Sequence, residues 1–170
     1  MFTVRKHIEI DAGHRVPYHG SKCRNLHGHR YRITAVVGTP ELVPPDVEVS
    51  DAGMVVDFGV IKQVLTQVVH DRFDHKLLLW ERDPLVEPWL VYPNAPTNPF
   101  QKLALELGIT TGIVILPCIP TAEELARYWG QQILETVSRD VAQPRYWDDR
   151  LELMAIEVME TPTSVATWER

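Results

Sequence analysis

"HGHRYRITAVVG", His27 to Gly38, alternates from end to end: His27, His29, Tyr31, Ile33, Ala35 and Val37 take every second place, with Arg30, Arg32 and Thr34 between them. A period of two puts alternate side chains on opposite faces of a β-strand. The stretch before it, "FTVRKHIEIDAGH" (Phe2–His14), alternates too: Ile8, Ile10 and Ala12 share a side, and His14 continues it. The two are predicted to pair as antiparallel strands across a long connection, residues 15–26, which carries Pro17, Gly20 and Asn25.

That pairing has a chemical consequence. Both rings of an H-x-H pair leave a strand on one face, and His14 closes the neighbouring strand on the side expected to be the same. Three imidazole nitrogens with a vacant fourth position form a catalytic zinc pattern, because a structural site is closed by a fourth protein ligand. H-x-H is also an ordinary surface pattern, so spacing leaves a metal centre and a solvated pair both open. Cys23 lies in the loop before the pair, flanked by Lys22 and Arg24. Cationic flanks suit an ionised thiol, able to act as base, nucleophile or ligand. Cys118, in "ILPCIP", reads instead as a small buried apolar residue. Asp74 and His75 stand side by side in "FDHKLL". They form either a proton-transfer pair, which needs a turn to bring them together, or a plain helix end.

Charge is uneven. The chain of 170 residues has a net charge of −6, yet Ala12–Pro40 holds no acid and carries Arg15, Lys22, Arg24, Arg30 and Arg32. The acidic total argues against a general nucleic-acid binder, and the local cationic pool suits a small anionic ligand; a solvated charged face is the alternative. No apolar run reaches the ~20 residues of a membrane span. Two cysteines are too few for a disulfide framework. The beginning of the sequence lacks the apolar core of a signal peptide, so a cytoplasmic protein is expected.

Downstream, a short strand is expected near "GMVVDFG". A helix of about 15 residues then follows on Ile61, Val64, Leu65, Val68 and Val69, with Asp57 near its start. Seven of the 13 prolines fall in residues 80–120 (84, 88, 93, 96, 99, 117 and 120). That region reads as an irregular insertion with a short helix at "QKLALELG" and a strand at "GIVIL". Thr121 and Glu124 form a capping box that opens a second helix. The last strand is "LELMAIEVMET". Strands with antiparallel connections and two helices make the chain α+β, and its length fits one domain, 1–170.

"DAGH", "CRNLHGH", "MVVDFG", "DHKLL", "PTAEELA" and "METPTS" occur in this order. In that set the chain resembles the 6-pyruvoyltetrahydropterin synthase and 6-carboxytetrahydropterin synthase family. The C-x-x-x-H-G-H spacing is similar to the bacterial 6-carboxy enzymes of queuosine biosynthesis. The resemblance implies a tunnelling fold: a four-stranded antiparallel sheet with two helices on one side, assembled into a homo-oligomeric barrel, trimer or hexamer, with active sites at subunit interfaces. It implies Zn2+ on His14, His27 and His29, catalytic roles for Cys23, Asp74 and His75, and a pterin held by Glu160 and Thr121. Arg15, Lys22, Arg24 and Arg30 are candidates for the triphosphate of the substrate, 7,8-dihydroneopterin triphosphate, Lys22 and Arg24 foremost. The implied reaction is a lyase step giving 6-carboxy-5,6,7,8-tetrahydropterin. A 6-pyruvoyl synthase or another side-chain lyase is the rival within the class. A non-catalytic pterin- or metal-binding module, or an unrelated three-histidine hydrolase, is the rival outside it. The family joins "DHxxL" to "PTxE" by a short segment; here residues 80–120 intervene, and the product is correspondingly less determined.

Overall fold

A computed structural model of the chain describes residues 1–46, 49–86, 112–139, 147 and 149–170. The two alternating stretches are strands β1 (Phe2–His14) and β2 (His27–Thr39), paired antiparallel along their whole length. Their inward rows, Ile8, Ile10 and Ala12 on β1 with Tyr31, Ile33, Ala35 and Val37 on β2, form the floor of the core. The outward rows are charged and pair across strands: Arg5 with Glu157, Glu9 with Arg32, and Asp11 with both Nε and Nη2 of Arg30. Exposed pairs of this kind contribute about 0–1 kcal/mol each. Burying one large apolar side chain contributes ~1.5–3 kcal/mol, so the inward rows hold the sheet and the outward rows help set its register.

After β2 the chain turns. The strand expected at "GMVVDFG" is absent: residues 53–56 are turn and bend, and Val55 and Val56 reach the core from an irregular segment. Two adjacent buried valines do not alternate, so they lacked the signature of a half-buried strand. The helical stretch follows as α1 (Phe58–Leu65), a π turn (Thr66–His70) and α2 (Asp71–Phe73). Asp57 caps it, its carboxylate accepting from the Gly59 N–H. Ile61, Val64, Leu65, Val68, Val69 and Phe73 are buried against the sheet.

The sheet departs from the expected four antiparallel strands. Among the described residues it has six, in the order β4-β3-β1-β2-β5-β6, and it is mixed. β3 (Lys76–Trp80) lies parallel to β1, and β4 (Ile113–Leu116) parallel to β3. "KLLLW" is a short apolar run directly after a helix, and periodicity alone does not separate such a run from a helix end. Parallel neighbours need long crossovers. β2 and the helices together make the one from β1 to β3, and residues 81–112 connect β3 to β4. The expected strand at "GIVIL" is β4; the helix expected at 101–108 lies outside the described residues.

Helix α3 (Ala122–Arg139) packs on the same side, its Leu125, Ala126, Trp129 and Ile133 entering the core. β5 (Glu152–Thr161) then joins β2, and β6 (Ser164–Glu169) closes the edge as a hairpin partner of β5. β6 escaped the sequence reading because its face toward the helices carries small and polar residues besides Trp168.

Gly130 shows how tightly α3 sits on that edge. A Cβ there would lie 2.3 Å from the Trp168 ring. Alanine is the better helix former by ~1 kcal/mol, so contact with the ring, not propensity, keeps a glycine. Gly130→Ala is expected to destabilise the fold by about 1–3 kcal/mol, read as a lower midpoint in urea; a raised midpoint would contradict this packing.

Candidate functional site

The strand register builds the histidine cluster. His14 on β1 faces His27 on β2 directly, and His29 pairs with Ala12, one step along the same row. Ring centroids of His14, His27 and His29 stand 4.4, 5.2 and 5.0 Å apart pairwise, and their ligand atoms lie within 4.8 Å of one another. The cluster prolongs the apolar row of the core, so His14 is 1% exposed. Tyr31 lies beneath, its ring 5.7 Å from those of both His14 and His29.

Backbone carbonyls set two of the three tautomers. Nδ1 of His14 donates to Pro120 O at 2.7 Å, and Nδ1 of His27 to Asn25 O at 2.8 Å. A carbonyl only accepts, so each proton sits on Nδ1 and each Nε2 keeps its lone pair. His14 Nε2 is buried without a hydrogen-bond partner among the described residues. Burial above all, together with the neighbouring imidazoles, holds His14 below its ordinary pKa despite the Pro120 bond, which keeps the ring neutral. A buried, neutral, unpartnered nitrogen beside two more imidazoles is the donor set a divalent metal takes, and the residues fit one.

A cavity of about 460 Å³ opens beside the cluster. His14, His19, Cys23, Thr121 and Glu160 line it, with residues 163–166 of the β5–β6 turn and β6. Four separate segments thus converge on it. Cys23 sits in a 3₁₀ turn (Lys22–Arg24), half-buried and free of any disulfide. Thr121 caps α3, its hydroxyl accepting from the Glu124 N–H at 3.3 Å. Glu160 stands at a register shift: Met159 pairs with Val165 and Thr161 with Ser164, so no β6 residue faces it. Such bulges re-aim a side chain. Its Oε1 lies 3.6 Å from His14 Nε2 and 4.0 Å from His29 Nε2. Burial first, then the Glu160 charge, push the Tyr31 phenol far above its ordinary pKa, so the ring remains a neutral O–H.

Lys22 and Arg24 are exposed and do not line this cavity. Arg30 and Arg32 point to the other face, as alternation predicts, engaged by Asp11 and Glu9. His19, Thr163 and Ser164 were missed as site residues. A turn-rich "TPTS" followed by Val-Ala-Thr-Trp was the available signal for the last two.

Asp74 and His75 do form a pair, with His75 Nδ1 2.8 Å from Asp74 Oδ2. His75 has a φ of 56°, a left-handed conformation that costs a non-glycine residue about 1–2 kcal/mol. Two contacts with β1 impose it: the His75 N–H donates to Asp11 O at 2.7 Å, and the Asp11 N–H donates to Asp74 Oδ1 at 2.9 Å. Neither residue lines the cavity that holds His14, Cys23 and Glu160. His75 lines a second one, about 760 Å³, together with Asp11, His29 and Arg30.

The chain is thus an α+β protein whose strand register assembles three histidines that could hold a metal ion. The sequence profile of the 6-pyruvoyl tetrahydropterin synthase family matches residues 3–170, and the chain belongs to that family. It is 33% identical over 159 residues, 94% of this chain and 81% of the relative, to a probable 6-carboxy-5,6,7,8-tetrahydropterin synthase of Halobacterium salinarum. It is 40% identical over 83 residues to the 6-carboxy-5,6,7,8-tetrahydropterin synthase of Rickettsia bellii; that match spans 49% of this chain and 55% of the relative, about half the length of each. Among solved structures, the 6-pyruvoyl tetrahydropterin synthase of Caenorhabditis elegans shares the fold with a TM-score of 0.59 at 19% identity, covering 99% of this chain and 95% of that one. An uncharacterized protein from Wolinella succinogenes does so with a TM-score of 0.69 at 21% identity, covering 99% and 98%.

Partial burial pushes the Asp74 carboxyl up, but the Asp11 N–H, the His75 ring and the charges of His75 and His70 outweigh it, so Asp74 is held below its ordinary value. The unfolded carboxyl titrates near about 3.9. Its stabilising contribution is therefore present above that pH and lost as pH falls through the lower folded value. Asp74→Asn keeps the acceptor for Asp11 and removes the charge. It is expected to lower stability by about 0.5–1 kcal/mol at pH 7. Urea midpoints should show a constant gap down to about pH 4 that closes only below it.

Proposed function

We propose that the chain is a zinc-dependent tetrahydropterin synthase of the lyase class. It takes 7,8-dihydroneopterin triphosphate and water to 6-carboxy-5,6,7,8-tetrahydropterin, acetaldehyde and triphosphate, a reaction of the queuosine pathway. The observation that carries this is the buried, unpartnered Nε2 of His14 among three imidazoles, opening on a cavity that also holds Cys23 and Glu160. The relatives named 6-carboxy-5,6,7,8-tetrahydropterin synthase favour this product over the pyruvoyl one.

His14, His27 and His29 hold the zinc, which when bound supplies Lewis acidity toward the oxygens of the substrate side chain. Cys23, as thiolate, removes and returns a proton on that side chain. Glu160 accepts hydrogen bonds from the N–H edge of the pterin, an arrangement that suits an ionised carboxylate. Thr121 and the start of α3 bound the other side of the ring. His75, with its proton fixed on Nδ1 by Asp74, offers Nε2 for a second proton transfer. That pair does not line the cavity of its own chain, so the working unit is read as a homo-oligomer, trimer or hexamer, in which a second copy brings it. Lys22 and Arg24, exposed beside Cys23, are the cations proposed to meet the triphosphate outside the cavity. The whole chain, with its insertion at about 80–120, acts as one domain of this assembly.

Incubation with dihydroneopterin triphosphate, with and without chelator, tests the reading by product mass. The carboxy product is expected only with metal. A pyruvoyl product would reassign the reaction within the class, and unchanged substrate would favour a binding module. Cys23→Ala should reduce turnover by about 10²–10⁴-fold while metal content stays that of the wild type; His27→Ala should lose both.

A further inference from the structure

We propose that Asp83 is a positioning residue for the metal-and-thiol end of the cavity: through Arg15 it fixes the exit of β1, on which both His14 and the Cys23 loop depend. β1 ends at His14, so the sheet's hydrogen bonds hold nothing beyond it. The next residue, Arg15, turns away from the cavity, its Nε 3.1 Å from Asp83 Oδ2. Both partners are withdrawn from water: the Asp83 side chain is 0% exposed and that of Arg15 18%. Neither atom has an aligned hydrogen-bond partner among the described residues, so charge alone holds this contact.

Asp83 is itself well anchored. Its Oδ1 accepts from the Leu85 N–H at 2.8 Å, its own N–H donates to Trp80 O, and the Val86 N–H donates to Asp83 O. This turn directly follows β3, which is paired to β1. On the far side of Arg15, the Val16 N–H donates to Cys23 O at 2.9 Å, and Val16 O accepts from the His19 N–H at 3.0 Å. One guanidinium therefore stands between a metal-ligand candidate and the hydrogen bond that carries the thiol. Pro120 O grips His14 from the other side. At one end of the segment between β3 and α3 Pro120 thus touches His14 directly, and at the other Asp83 reaches the same strand exit through Arg15.

Asp83→Asn breaks a buried charge pair from one side, which risks the fold itself. The decisive variant is R15M/D83L, because an apolar pair of similar volume commonly preserves stability where a buried ion pair is removed. Two readouts are taken on folded protein: alkylation of Cys23 by iodoacetamide in the metal-free state, located by peptide mass, and Co2+ affinity by chelator competition with the visible spectrum of bound Co2+. The expected results are several-fold faster alkylation, about tenfold weaker Co2+ binding and an altered spectrum. A folded R15M/D83L protein with wild-type alkylation rate, affinity and spectrum overturns the proposal. The Co2+ readout rests on the functional reading above and the alkylation readout does not. If the wild type takes up no Co2+, the metal reading fails by itself; Asp83 is then judged on alkylation alone, where a faster rate supports the proposal and an unchanged one overturns it.

Discussion

The register of β1 against β2 is the constraint on which the rest of this molecule hangs. His14 faces His27, and His29 stands two residues further along the same row. A shift of one residue would send the β2 imidazoles to the outward face while His14 stayed inward. What prevents the shift is not the site. Ile8, Ile10, Tyr31, Ile33 and Val37 are buried on the same side of the same strands. Moving one row outward would expose several such side chains at ~1.5–3 kcal/mol each. The energetic reason for the fold and the geometric reason for the histidine cluster are one alternation.

Placing polar rings at the end of an apolar row has a cost, and the structure meets it locally. Buried imidazoles require partners. Pro120 O and Asn25 O supply two of them, each binding the nitrogen that is not needed for a ligand. The nitrogens left over face one another and Glu160. Pro120 closes the segment between β3 and α3, so the end of that segment contacts the histidine cluster directly. The Asp83–Arg15 pair acts at its other end. The segment between the Asp74–His75 turn and α3 is therefore linked to the histidine cluster by two contacts, one direct and one through Arg15.

The Asp74–His75 pair displays the same logic on the opposite face. His75 is held in a left-handed conformation that it would not choose alone, and β1 imposes it through both its N–H and its C=O at Asp11. Strain of this kind persists only where surrounding structure over-determines it. Asp11 is in turn held by Arg30, whose guanidinium keeps its carboxyl below the ordinary value against a smaller opposing effect of burial. A charged pair on the outer face of the sheet thus backs the turn that aims His75.

The amino-acid sequence by itself determined the two long strands, the inward row that ends in three histidines, the helix starts at Asp57 and Thr121, and the family. Each of these is local: a period of two, a period of 3.6, a capping side chain or a motif of adjacent residues. It did not determine the six-stranded mixed sheet, because "KLLLW" becomes a strand, and the expected strand "IVIL" takes its place beside it, through parallel partners far away in sequence. Nor did it assign β6 or the turn at residues 53–56. In the cavity, the turn at "TPTS" was legible but not its meeting with His19 and Cys23, since a cavity is shared by residues that no spacing rule connects. The bulge that leaves Glu160 unpaired, the carbonyls that select the imidazole tautomers and the carboxylate that holds Arg15 are all decided by tertiary structure. They depend on distances between segments as much as 106 residues apart, and only the packed chain sets those distances.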